Sequence, residues 1–186
     1  MLPRVTEFPG LTTNRLRLRE PMKRDAATLA PLWSHAAVTR FSNMADAPKP
    51  AQIERLVAWM VQLHPKGSGC AWIIEDAASA TPIGAIRFNR FDKTWRYGVV
   101  GYELHPEFWG RGLMTEALRA VVTCGHEVYK LNRIEAWTLP GNPASDRVLE
   151  KTGFRYEGTL RQRAWFKGAF HDCRTFGRVT GDPVTE

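Results

Sequence analysis

The chain has 186 residues, 44% apolar and 11% aromatic, enough for a real core in a single domain spanning 1–186. Twenty-six Lys and Arg against 19 Asp and Glu give a formal charge of +7 and a pI near 9.7, which favours an anionic partner such as a polyphosphate, nucleic acid or a ribosomal surface. No apolar run nears the ~20 residues that cross a bilayer, MLPRVTEFPG is unlike a secretion signal, and Cys70, Cys124 and Cys173 are scattered without a CxxC pair. These features argue against a membrane span, an export signal, a disulfide framework and a structural zinc site, and lead us to expect a reducing, cytoplasmic setting.

In chain order, NRLRLRE (14–20) alternates leucine with arginine at the period of a half-buried strand. MKRDAATLAPLWSHAA and AQIERLVAWMVQLH read as two helices joined by the loop SNMADAPKP. CAWIIED, PIGAIRFNRFD and WRYGVVGYEL are three strand candidates whose short connectors, AASATP and DKT, imply antiparallel neighbours. A helix from Gly112 to about Tyr129 leads to the strand RIEAWTL, so a crossover joins two strands. PGNPASDRVLEKTGF supplies a turn, a short helix with Val148 and Leu149 inward, and Gly153 as its stop; RYEGTL and CRTFGRV close the chain as strands. The order predicts an α+β fold with a mixed sheet.

The junction FWGRGLMTEA carries the chemistry. Gly110 and Gly112 free the backbone, and apolar residues then recur at helical spacing from Leu113. The start of a helix leaves N–H groups unpaired and carries roughly half a positive charge, a natural seat for phosphate. A dinucleotide fingerprint is a poor match because Thr115 stands at its third glycine, and no Gly-Lys-Ser/Thr ending marks a P-loop.

GYELHPEFWGRGLMTEAL resembles the acyl-CoA-binding motif of the GNAT superfamily of N-acyltransferases, and closely resembles the branch containing the ribosomal-protein alanine and serine N-acetyltransferases. RLRLRE, PIGAIRF, NPASDRVLEKTGF and FKGAFHDCRTFGRV extend the likeness in the family's order over nearly the whole chain. The resemblance implies a mostly antiparallel, splayed sheet flanked by helices, with acetyl-CoA as acetyl donor and coenzyme A as product. Its pantetheine arm would enter between the strand ending at Glu103-Leu104 and RIEAWTL, lined by the backbone of Leu104, His105 and Pro106. Gly110, Arg111, Gly112, Leu113, Met114 and Thr115 would cradle the pyrophosphate, with the Arg111 side chain adding a cation. Asn142 is implied to contact the pantetheine amides and Ser145 to lie near the thioester sulfur; both are also good helix caps. The chain departs from the superfamily pattern at Trp109 and Met114, where Arg or Gln and Gly or Ala are frequent.

Acetyl transfer to an amine needs a neutral nitrogen, a stabilised oxyanion and a route for releasing the thiolate. Glu103 is the candidate general base, directly or through water, with burial expected to lift its pKa; the other reading is a rim carboxylate paired with an arginine. Backbone N–H near Leu104 and His105 is the candidate oxyanion donor, and Ser145 the candidate acid toward the thiolate. Cys173 and His171 would share a strand face, but a Cys–His nucleophile also needs an orienting group. The five histidines lack metal-ligand spacing, and Trp33, Phe41, Trp59, Trp72 and Trp165 read as core or groove-wall aromatics. If the two early helices form the acceptor cleft as in relatives, acceptor choice lies between Trp33 and Asn43.

The expected reaction is acetylation of a primary amine, foremost a protein or peptide N-terminal α-amino group, with a ribosomal protein as one such partner. A small-molecule amine is the nearest variant. The alternative from another class is a non-catalytic basic module binding RNA or ribosome through Arg87, Phe88, Arg90, Phe91, Trp95 and Arg96. No membrane or nucleic-acid partner is required, and the chain is expected to be a monomer or homodimer.

Overall fold

The computed structural model describes residues 2–183. Among these residues eight strands form one sheet in the order β1-β2-β3-β4-β5-β6-β8-β7. β1 is Leu11–Thr12 and β2 Leu16–Arg19, where Leu16 and Leu18 are buried and Arg17 is exposed, as the alternation requires. β3 (Cys70–Asp76), β4 (Pro82–Asp92) and β5 (Tyr97–Leu104) follow as antiparallel neighbours. β6 (Arg133–Thr138) is parallel to β5, as its helical crossover dictates, and β7 (Arg155–Phe166) and β8 (Ala169–Val179) complete the sheet.

The first of the two expected helices is instead three pieces: α1 (Asp25–Thr28), α2 (Ala30–Ser34) and α3 (Ala36–Thr39). Pro31 lacks the N–H needed to continue α1, and His35 is extended at φ −77°, ψ 123°, with its Nδ1 accepting from the Ala37 amide. α4 (Pro50–Leu63) is regular and turns Ile53, Val57, Met60 and Leu63 inward. It packs on Ala71, Ile73 and Ala85 on one sheet face. On the other face α5 (Leu113–Glu127) and α6 (Pro143–Lys151) cover Leu16, Leu18, Trp72, Ile86, Phe88 and Val100. Val148 is partly buried and Leu149 fully, while Val128, at the C-cap of α5, is exposed.

The sheet opens at its centre. β5 pairs with β6 only through Tyr97–Val99 and Arg133–Glu135. Beyond that seam β5 follows β4 to Leu104, while β6 follows β8 to Thr138. Two strands that start parallel thus diverge, and the mouth between them is the feature the resemblance implied.

The last two strands extend well beyond RYEGTL and CRTFGRV. Lys167 (φ 50°) and Gly168 (φ 74°) make a two-residue turn between them, the double left-handed geometry that matches strand twist. β7 is exposed along most of its length, so it has no buried face to announce it in the sequence.

Candidate active site

The turn between β5 and α5 was expected to present free main-chain donors. Gly110 (φ 74°) and Gly112 (φ 73°) are both left-handed, and Gly112 caps α5. A Cβ at Gly110 would meet nothing within 4 Å, and at Gly112 only the Arg15 guanidinium at 3.7 Å, so the turn is open to solvent. Among the described residues, no acceptor meets the amides of Gly110 to Thr115; the first helical bond of α5 runs from the Glu116 amide to the Gly112 carbonyl. Six donors at one helix start are therefore available to an anion. The side chains of Leu113 and Met114 point into the core, which leaves only their main chain for that purpose.

Arg15, 96 residues upstream, reaches this turn. Its Nη1 donates to the Arg111 carbonyl at 2.9 Å, and its Nε to Glu116 Oε2 at 2.7 Å. Desolvation opposes the charge on Glu116, yet hydrogen bonds from Thr13 and from Arg15 hold its carboxyl below its ordinary range. The acid in the first turn of α5 is thus neutralised within the protein. A groove of about 590 Å³, lined by Thr13, Arg15, Gly112, Thr115, Arg119 and Lys151, runs from here along α5. Lys151 borders it at the end of α6. Arg111 instead lies over the Phe108 ring at 5.3 Å.

At the end of β5 the His105 amide donates to the Ile83 carbonyl at 2.8 Å. That bond commits His105 to β4 and removes it as an oxyanion donor. Strand alternation then turns the main-chain groups of Tyr102 and Leu104 toward the mouth. The Leu104 carbonyl there accepts from the Trp109 indole at 2.6 Å. Trp109 braces the turn that an Arg or Gln occupies in much of the superfamily. Pro106 begins a single 3-10 turn, Pro106–Phe108, that carries the chain to the glycines.

Glu103 lies on the α4 face of the sheet, and both of its oxygens meet Arg87, at 2.5 and 2.9 Å. The two side chains are only 14% and 12% exposed. Burial opposes the Arg87 charge, but Glu103 outweighs it and holds the guanidinium pKa above its ordinary value. Glu103 is accordingly an inward, arginine-clamped carboxylate; the sequence offered either a base or an ion-paired acid, and the ion pair is present.

On the opposite face the Tyr102 hydroxyl meets Ser145 Oγ at 2.9 Å across the mouth. Burial pushes the Tyr102 phenol well above its ordinary pKa, so it stays protonated at neutral pH. Asn142 caps α6, its Oδ1 accepting from the Ser145 amide at 3.2 Å. Asn142→Ala should therefore cost about 1 kcal/mol of stability, read from the urea midpoint. The His171 ring stacks on Phe166 at 4.0 Å and its Nε2 meets the Phe166 carbonyl, and burial raises the Cys173 thiol pKa, away from the thiolate that a nucleophile needs. Trp33 and Trp72 are core residues, whereas Trp59 is partly and Trp165 largely exposed.

Comparison with known proteins settles the lineage. The acetyltransferase (GNAT) domain model matches residues 15–155. The chain belongs to the GNAT acetyltransferase family. The N-acetyltransferase YoaA of Bacillus subtilis is 33% identical over 172 residues, covering 92% of this chain and 97% of the relative. The ribosomal-protein-serine acetyltransferase of Escherichia coli is 30% identical over 121 residues, 64% of this chain and 65% of that protein. Among solved structures, a RimL ribosomal L7/L12 α-N-protein acetyltransferase in complex with coenzyme A shares the fold at TM-score 0.83 and 21% identity, over 93% of this chain and 98% of its own. The microcin C7 self-immunity acetyltransferase MccE, solved with acetyl-CoA and AMP, does so at TM-score 0.80 and 17% identity, over 90% and 94% of the two chains.

This GNAT acetyltransferase brings Glu103, Tyr102, Leu104 and Ser145 to the mouth, with the free amides of 110–115 beside it. Arg15 and Tyr102 were missed by sequence reasoning, and Arg87 was read only as part of a possible RNA-binding string, not as the arginine that pairs with Glu103. Nothing local marked the partners of either arginine. Tyr102 had a signal: it is the polar aromatic next to Glu103, on the alternate face.

Proposed function

We propose that the chain transfers the acetyl group of acetyl-CoA to a primary amine, with a protein or peptide N-terminal α-amino group as acceptor. The observation that carries the reading is the row of six unpaired amides at the start of α5, set beside the mouth between β5 and β6. A diphosphate seated there would direct the rest of the carrier into the mouth. Open glycine geometry and the nearby Arg15 cation fit that anion. The choice of acceptor rests on relatives named as ribosomal-protein-serine and uS5-alanine acetyltransferases.

In this reading the Leu104 amide polarises the thioester carbonyl, and Glu103 takes a proton from the attacking amine, directly or through water. Tyr102, hydrogen-bonded to Ser145, donates toward the departing sulfur. Tyr102→Phe should lower kcat about 10- to 100-fold with little change in the acetyl-CoA KM, because a hydrogen bond to a developing charge is worth roughly 1.5–3 kcal/mol.

The RNA-binding alternative loses its platform. Phe88 is fully buried, Phe91 packs on the core and Arg87 is bound to Glu103, so the string offers no row of aromatic faces.

The test is release of free thiol from acetyl-CoA against a panel of peptides with free N-termini, polyamines, amino acids and aminoglycosides. Turnover confined to peptides is expected. Turnover confined to small amines would overturn the acceptor assignment, and no turnover with any of them would overturn the reading as a whole.

A further inference from the structure

The tip of the β7–β8 hairpin is tied to the far side of the molecule. Lys167 Nζ donates to the Thr39 carbonyl at 2.7 Å and to Asp46 Oδ1 at 2.5 Å, across more than 120 residues of chain. Thr39 ends α3, and its carbonyl also accepts from the Ser42 amide at 3.1 Å, so the ammonium adds a second donor to a helix-terminal carbonyl. The tip itself is braced: Phe166 and His171 stack, and His171 Nε2 meets the Phe166 carbonyl at 3.1 Å. At the other end of α3, His35 lies edge-on to His105, the residue that follows β5. α3 therefore touches both the end of β5 and the hairpin tip. With the tie in place, contacts run in series from the end of β5 through α3 and the 40–49 loop to the hairpin tip, a rim on the α4 face of the sheet.

We propose that Lys167 is a positioning residue for the acceptor amine, acting by holding that rim closed over it. The proposal rests on the acetyl-transfer reading above. Lys167 touches none of the residues assigned to chemistry, and its carboxylate partner is exposed, so the pair adds little to overall stability. Such a tie is weak enough to open for entry and strong enough to bias the closed rim.

The experiment compares Lys167→Met and Asp46→Asn with the unaltered full chain, using a short peptide with a free N-terminal serine and, separately, spermidine. The acceptor KM should rise about fivefold in each variant, with kcat and the acetyl-CoA KM within about twofold of the starting values. Lys167→Arg, which keeps a cation able to donate to both the Thr39 carbonyl and Asp46, should leave the acceptor KM near its starting value. An unchanged acceptor KM in Lys167→Met, an effect on acetyl-CoA instead, or a Lys167→Arg variant as impaired as Lys167→Met would overturn the proposal. Hydrogen exchange on the same variants reads the tie without any acceptor. Faster exchange at 40–49 and 166–169 is the expected result, and unchanged exchange there overturns the tie even if neither amine is a substrate, an outcome that would itself count only against the function.

Discussion

Replacing Glu103 by glutamine is expected to cut kcat/KM by about 10²- to 10⁴-fold near neutral pH, the usual contribution of a positioned base. The sign of its pH dependence is fixed by the acceptor. An α-amino group has a pKa of roughly 7.7–8.0, so below that range a base must remove a proton that bulk water removes above it. The loss should shrink as pH rises through about 8. Arg87 occupies one site on each Glu103 oxygen, and a carboxylate offers about four, so acceptor capacity remains on both oxygens. A control is needed because the same substitution takes the charge partner from a buried guanidinium, and breaking such a pair costs about 3–5 kcal/mol when nothing replaces it. The glutamine oxygen retains one acceptor, so a smaller loss is expected in urea unfolding. A rate defect of equal size at every pH would take Glu103 out of the base role and leave the pair as a structural clamp.

Gly112→Val should weaken coenzyme A binding by about 100-fold while leaving the protein folded. At φ 73° a side chain costs roughly 1–2 kcal/mol, and a branched one is worse. Space is not the difficulty, since the nearest atom to a Cβ is 3.7 Å away. The turn must therefore rotate to relieve the backbone, and the amides of Leu113 to Thr115 turn with it. Ligand linkage gives the readout: coenzyme A at 100 times its Kd stabilises by about 2.7 kcal/mol, and a 100-fold weaker site retains only about 0.4 kcal/mol. The rise in Tm with coenzyme A should nearly vanish. A full rise in the variant would mean that the anion is held elsewhere.

How far the sequence could be read depended on the range of the interaction. The glycine turn and α5 were legible because the deciding residues lie within a few positions of one another. The mouth was legible only through family likeness, since no periodicity says where two parallel strands part. The break of α2 from α3 depends on one extended residue, His35, in a segment otherwise rich in helix formers. β7 was read too short because a strand exposed on both faces has no alternation. The Arg87–Glu103 clamp is the instructive case. Counting back from the turn after Asp92 sets Arg87 opposite Tyr102, with its side chain on the wrong face. One extra residue at Asn89 shifts the register, pairs Arg87 with Gly101 and brings it to the face of Glu103.

The three-pair seam between β5 and β6 has a mechanical meaning. Five strands lie on one side of it and three on the other, so the molecule behaves as two plates sharing a short weld, with α5 as the strut across it. The width of the gap is set at the weld and used at the far end. A change near Val99 or Glu135 that lengthens or shortens the weld by one pair would move the reacting groups of both plates at once, without touching any residue that meets a substrate.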